Sequence, residues 1–273
     1  MKKLILHLGL HKTGTTYLQR AVWPRWPGVE YIGKPTPRPF ATPWDALAQL
    51  PGDTFLLSSE GFTGSLVRSY HRHQSWLELC RRNLEALADR VSGHYDLRLI
   101  LTLRPREEWA LSIYKHYLKY GGVDEMADFF GANPAAEPTC PVDELSIDAR
   151  LHLIEYTFGL PAFRFCSHEM RTSPETLSQR LAAHCGLPEG PSFPSEERNR
   201  GVGETGKALC LRYNRMISNR DHRLRGYLSR TQSSGFSMVR KLSSAGLLPS
   251  DAPLELDEAT RQLLRQTATN VNE

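Results

Sequence analysis

The stretch from Leu4 to Arg20, LILHLGLHKTGTTYLQR, limits the possible folds of this chain more than any other. Leu4 to Leu8 is an apolar run with the length and bounding of a buried strand. Gly9 closes it, Gly14 follows, and Thr15, Thr16, Tyr17, Leu18 and Gln19 open a helix. A strand, a tight loop and a helix N-terminus together form an anion site. The N–H groups of the first helical turn lack intrahelical partners, and the helix dipole favours negative charge at the same end. Lys12 places a cation inside the loop, and the Thr15 and Thr16 hydroxyls are further donors. The reading is a phosphate cradle. The alternative is a tight turn that carries a lysine.

The cradle is not of the ATP type. A Walker loop sets glycine, four residues, glycine, lysine and then serine or threonine. Gly9 and Gly14 have that separation, but Thr15 stands at the lysine position and Lys12 lies within the loop.

The rest of the chain alternates strands and helices. Val29 to Ile32, Thr54 to Ser58, Leu97 to Leu103 and Ala162 to Cys166 read as further strands, with LRLILTL as the central one of a parallel sheet. Helices are expected at Trp44–Leu50, Gln74–Val91, Arg106–Tyr120, Ser146–Phe158, Pro174–Cys185, Glu204–Asn219 and Asp257–Thr269. Pro105 sits at the start of one, and Gly186 stands just past the end of another. The pattern implies one α/β domain over residues 1–273: three layers, a parallel sheet with flanking helices, and the site at the strand C-terminal ends. Ser192 to Gly203 reads as a linker, and Gly226 to Leu248 resists placement.

Five cysteines, Cys80, Cys140, Cys166, Cys185 and Cys210, are scattered without a C-x-x-C pair. That excludes a patterned disulfide frame or zinc site and favours a reducing compartment. No segment has the length of a membrane span. The apolar run after Met1-Lys2-Lys3 is interrupted at His7 and is too short for a signal peptide. The expected location is cytoplasmic. Net charge is +4, but Arg198 to Lys241 holds eleven basic residues against Glu204 and Asp221. Such a basic stretch suits an anionic ligand or acceptor. With no recognition motif beside it, nucleic acid is not the expected partner.

K-T-G-T-T opening a helix after the first strand resembles the 5′-phosphosulfate loop of sulfotransferases that use 3′-phosphoadenosine 5′-phosphosulfate (PAPS). The segment LTLRPREEWALSIY resembles the 3′-phosphate segment of that family, with Arg104 at a strand end and Ser112 eight residues on. The resemblance implies the sulfotransferase variant of the P-loop fold and transfer of a sulfuryl group from PAPS to a hydroxyl or amine. It implies a donor site of His11, Lys12, Thr13, Gly14, Thr15, Thr16, Tyr17, Arg104, Ser112 and Arg200, with Tyr17 near adenine and Arg200 in a late basic loop. The product would be adenosine 3′,5′-bisphosphate.

Many cytosolic members carry a histidine as base after the third strand. Here Glu60 stands there, and the glycan-modifying members that use a glutamate take it from a different loop. Glu60 is the candidate base, with His71 and His73 in reserve. Alternatively, it is a capping or salt-bridged residue at a strand end. Lys34 looks like a lysine of the glycan-modifying members, or is a solvated loop residue. A small-molecule or glycan acceptor follows, with a lean to carbohydrate. The strand Leu97–Leu103 ends in arginine where a P-loop kinase needs a magnesium-binding aspartate, so no metal is expected. Two other readings remain: a nucleotide or sugar kinase with a degenerate P-loop, and a non-catalytic binder of nucleotides or anionic glycans. The oligomeric state is not legible.

Overall fold

A computed structural model describes residues 1–33, 42–72, 74–195, 203–218, 235–245 and 252–269. Five strands, β1 (Lys3–His7), β2 (Glu30–Ile32), β3 (Thr54–Ser58), β4 (Asp96–Leu103) and β5 (Ala162–Cys166), form one sheet in the order β2-β3-β1-β4-β5. Every pairing is parallel. Parallel neighbours need crossovers, which the helices between strands supply. The central strand β1 is fully buried from Leu4 onward, which is why its sequence runs apolar without alternation. His7 pairs with Ser58 of β3 on one side and Ile100 of β4 on the other. The chain leaves β1, reaches β2, returns through β3 and then crosses to β4 on the far side of β1. That reversal opens a crevice at the C-terminal end of β1.

The α/β expectation is met, and the strands at Thr54–Ser58 and Ala162–Cys166 coincide with their sequence ranges. The chain divides into two compact units. The first holds Met1–Leu66, Gln74–Pro105 and Ser146–Glu197, and so contains the whole sheet. Three of its helices start at side-chain caps. Ser75 accepts from the Glu78 amide and Ser146 from the Ala149 amide, and Thr42 forms a capping box with Asp45. Each such cap contributes about 1 kcal/mol. In Trp76–Val91 the buried residues Trp76, Leu79, Cys80, Leu84, Leu87 and Val91 recur at helical spacing and form one face. Leu177, Leu181 and Cys185 of Pro174–Cys185 pack with Ile5, Trp23, Ile100 and Phe165 in the core. The helix after the cradle departs from expectation. It is α-helical only over Thr15–Tyr17, widens to a π-helix at Leu18–Val22, and ends as a 3-10 turn at Trp23–Arg25. The widening accompanies burial of Leu18, Ala21, Val22 and Trp23 together.

The second unit holds Val67–His73, Arg106–Leu145 and Arg198–Glu273. Among its described residues it is helical, with helices at Arg106–Lys119, Met126–Phe130, Glu204–Ser218, Gly235–Ser244 and Glu258–Thr269. Tyr70, Tyr114, Tyr117, Phe129 and Phe130 form its aromatic centre, with Tyr117 stacked on Phe129 at 4.4 Å. Buried Asn214 donates to the Leu118 and Gly122 carbonyls and accepts from the Gly235 amide. The short helices Leu66–Arg72 and Met126–Phe130, and the helix inside Gly226–Leu248, are not anticipated from sequence.

Candidate functional site

The loop after β1 is shaped by two glycines and one strained lysine. Gly14 has φ 99°, a conformation that glycine adopts at no steric cost. At Gly9 a Cβ would lie 2.4 Å from Thr15 Oγ1, so the absent side chain lets Thr15 close onto the loop. Lys12 has φ 69°, and it is the one non-glycine residue with positive φ among the described residues. A left-handed backbone costs an L-residue about 1–2 kcal/mol. Such strain persists where surrounding bonds hold it, and it collects at functional loops.

Those bonds are present. Thr13 is buried and its Oγ1 donates to the Leu10 carbonyl at 2.8 Å, while Thr15 Oγ1 lies 3.5 Å from the same oxygen. The Thr15 side chain is buried and turned into the loop, whereas Thr16 is exposed. The end of β3 braces the loop through Thr63, whose Oγ1 donates to the Gly9 carbonyl at 3.0 Å. The end of β4 braces it through Arg104, whose Nη1 donates to the Lys12 carbonyl at 3.3 Å. Arg104 is thus tied to the Lys12 backbone, and both residues follow the C-terminal ends of parallel strands.

Glu60 begins a 3-10 turn, Glu60–Thr63, directly after β3 and Ser59. Its Oε2 lies 2.9 Å from His11 Nδ1, and its side chain is 32 % exposed. His11 Nε2 lies 2.8 Å from the Gly64 carbonyl oxygen. The Tyr17 hydroxyl donates to the Pro194 carbonyl at 2.7 Å. Pro194 lines a cleft of about 500 Å³ between helix Pro174–Cys185 and segment Gly190–Pro194.

Of the expected donor residues, His11 to Tyr17 and Arg104 belong to the first unit, as does the candidate base Glu60. Ser112 is half-buried on helix Arg106–Lys119 of the second unit. Arg200, Lys34 and His73 lie outside the described residues, as does the side chain of His71.

A buried polar network next to the cradle was missed in the sequence. His7 has no solvent exposure. Its Nδ1 lies 2.7 Å from Ser58 Oγ and its Nε2 2.8 Å from Thr102 Oγ1. The Trp23 indole N–H points at Nδ1 at 3.3 Å, so Nδ1 is the accepting nitrogen and Nε2 carries the hydrogen. Gln19 donates to the Ser58 carbonyl and hydroxyl. Burial pushes the His7 pKa down to about 3, against a smaller upward pull from the Glu60 carboxylate. The imidazole is neutral at physiological pH and joins three strand ends. The available signal was one polar residue near the C-terminal end of each of three apolar strands: His7, Ser58 and Thr102.

Among the described residues no group of three or more His, Cys, Asp or Glu side chains could hold a metal ion. No described helix is long and apolar enough to cross a membrane. No family model matches the chain, and no curated protein matches it. Among solved structures, the crystal structure of a sulfotransferase from Alicyclobacillus acidocaldarius aligns with 88% of this chain and 99% of its own, at a TM-score of 0.46 and 14% identity. At that distance no residue's role passes from one chain to the other.

Proposed function

We propose that this chain is a group-transfer enzyme built around a phosphate-binding loop, and that the group is a sulfuryl carried from PAPS to a hydroxyl or amine. One observation carries the reading. A strained lysine loop at the end of the central strand is flanked on one side by a cation, Arg104, and on the other by a carboxylate, Glu60. Two cations suit a donor with two phosphate positions, and the carboxylate suits removal of the acceptor's proton. Lys12 and the loop N–H groups would stabilise the bridging oxygen as negative charge grows on it. Arg104 would grip the 3′-phosphate, which does not react. The strand-end arginine, where an ATP-dependent kinase holds an acidic metal ligand, favours the sulfuryl donor over ATP.

A carbohydrate acceptor fits the glutamate base and the similarity of the loop to that of glycan-modifying sulfotransferases. The test is a screen of saccharides, phenols and amines with sulfur-labelled PAPS. Label appearing on a saccharide hydroxyl or amine supports the reading, and label confined to small phenols removes the carbohydrate preference. Phosphoryl transfer from ATP with no sulfuryl transfer to any acceptor would overturn it.

A further inference from the structure

The His7 network has a direction, and its two ends lead to different parts of the proposed site. The Trp23 N–H faces His7 Nδ1, so that nitrogen is bare and Nε2 carries the ring hydrogen. Gln19 Nε2 donates to Ser58 Oγ at 3.2 Å and to the Ser58 carbonyl at 3.0 Å. Ser58 Oγ accepts there and gives its own hydrogen to Nδ1, at 2.7 Å. Nε2–H in turn donates to Thr102 Oγ1 at 2.8 Å. A single line of donors thus runs from the helix after the cradle, through β3 and β1, to β4. His7, Ser58 and Thr102 are all buried, so a bond lost here leaves a group that water does not serve.

The line meets each strand just short of a residue proposed for the chemistry. Ser58 ends β3 two residues before Glu60, and Thr102 stands two residues before Arg104. His7 ends β1 five residues before Lys12. Backbone pairing of β1 stops sooner. Its register with β4 ends at His7–Ile100, before β4 itself ends, and the Nε2–Thr102 bond spans the difference. Its register with β3 ends at His7–Ser58, followed by a long bond of 3.3 Å from the Ser59 amide to the His7 carbonyl. An apolar residue at position 7 would continue the packing of Leu4 to Leu6 but would hold neither hydroxyl.

We infer that His7 is a positioning residue for the transfer reaction: through Ser58 it fixes where Glu60 stands, and through Thr102 where Arg104 stands, relative to the Lys12 loop. The inference rests on the sulfuryl-transfer reading. The ring stays neutral and gives up no proton, so it acts by geometry alone. A misplacement of about 1 Å in a reacting group lowers a rate by on the order of 100-fold. Because the two bonds sit on opposite nitrogens, they can be cut one at a time, and the two cuts should fail differently.

The test pairs turnover of sulfur-labelled PAPS, with the acceptor best labelled in the screen above, with calorimetric binding of adenosine 3′,5′-bisphosphate. Ser58→Ala removes the hydroxyl at Nδ1 and leaves Thr102 bonded. It should lower kcat by roughly 10–100-fold, with bisphosphate affinity changed no more than about twofold. His7→Gln cuts the same bond while its amide N–H still serves Thr102, and it should repeat that pattern if Ser58→Ala does not fold. Thr102→Val removes the hydroxyl at Nε2 and leaves Ser58 bonded. It should weaken bisphosphate binding by roughly 3–10-fold, less than Arg104→Ala does, with kcat at saturating PAPS changed no more than about twofold. Thr102→Ser keeps the hydroxyl and should restore the affinity. A purely structural role would lower kcat and affinity together in both variants. That result, no loss in either, or weak binding in Thr102→Ser overturns the inference while wild-type transfer stands. Wild-type protein that transfers no label overturns the functional reading and this role with it.

Discussion

The His7 network makes stability depend on pH in a way that can be assigned to one residue. Burial lowers the His7 pKa from 6.5 to about 3. The unfolded chain takes up a proton near pH 6.5 that the folded chain refuses until near pH 3. Stability from this site is therefore complete above about pH 6.5, declines as pH falls, and levels off below about 3. The slope is at most about 1.4 kcal/mol per pH unit, and the loss between pH 7 and pH 4.5 is about 2.5 kcal/mol. Urea unfolding of the wild type and His7→Asn across that range isolates it, because the carboxylates common to both cancel in the difference. The variant should be less stable at pH 7 by roughly 1–3 kcal/mol, since buried partners lose their bonds, and should lack this part of the slope. Thr102→Val strands the Nε2 proton. It should lower stability by a similar amount while keeping the slope. Parallel pH curves for wild type and His7→Asn would refute the assignment.

Substitutions at three positions test the loop. Lys12→Gly removes the charge and relieves the positive φ, whereas Lys12→Ala removes the charge and keeps the strain. Both should lose turnover, but the glycine variant should be about 1 kcal/mol more stable in urea unfolding, and equal stabilities would mean that the backbone is not strained. Gly9→Ala puts a Cβ against buried Thr15 and should weaken binding of adenosine 3′,5′-bisphosphate by at least about tenfold. Unchanged affinity would show that the loop reshapes without cost. Arg104→Ala should weaken that binding by about tenfold or more with a smaller effect on kcat. Arg104→Lys should not restore it, because an ammonium cannot reproduce a guanidinium fork that holds the Lys12 carbonyl and would hold phosphate as well.

Much of the sheet was legible because its strands are short, apolar and bounded by turn residues. TFLLS and AFRFC needed no partner to be recognised. The placement of Lys12, Arg104 and Glu60 followed from the parallel rule alone, since all three stand just after strand C-termini. What stayed hidden is non-local. The partners of His7 lie 51 and 95 residues away, and nothing in LILHL says that a serine and a threonine wait at the same level in β3 and β4. His11 and Glu60 meet only because β3 adjoins β1, a strand order that the sequence leaves open. The π turn at Leu18–Val22 coincides with burial of Leu18, Ala21 and Val22, which no local sequence pattern announces. The division into two units was hidden for a different reason. Each unit collects three separate stretches of chain, and of the boundaries only that at Glu197–Arg198 falls in a stretch that reads as a linker, Ser192 to Gly203.

Calorimetric titration with adenosine 3′,5′-bisphosphate, set against ATP with magnesium, tests the central claim most directly. On the proposed reading the bisphosphate would place one phosphate on the Lys12 loop and the other at Arg104, whereas ATP offers no 3′-phosphate and would meet no acidic residue at the end of β4. The bisphosphate should therefore bind at least about tenfold more tightly, the worth of roughly one charge-assisted contact. Arg104→Ala should erase most of that preference. Equal affinities, or tighter binding of ATP with magnesium, would contradict a PAPS site in this loop.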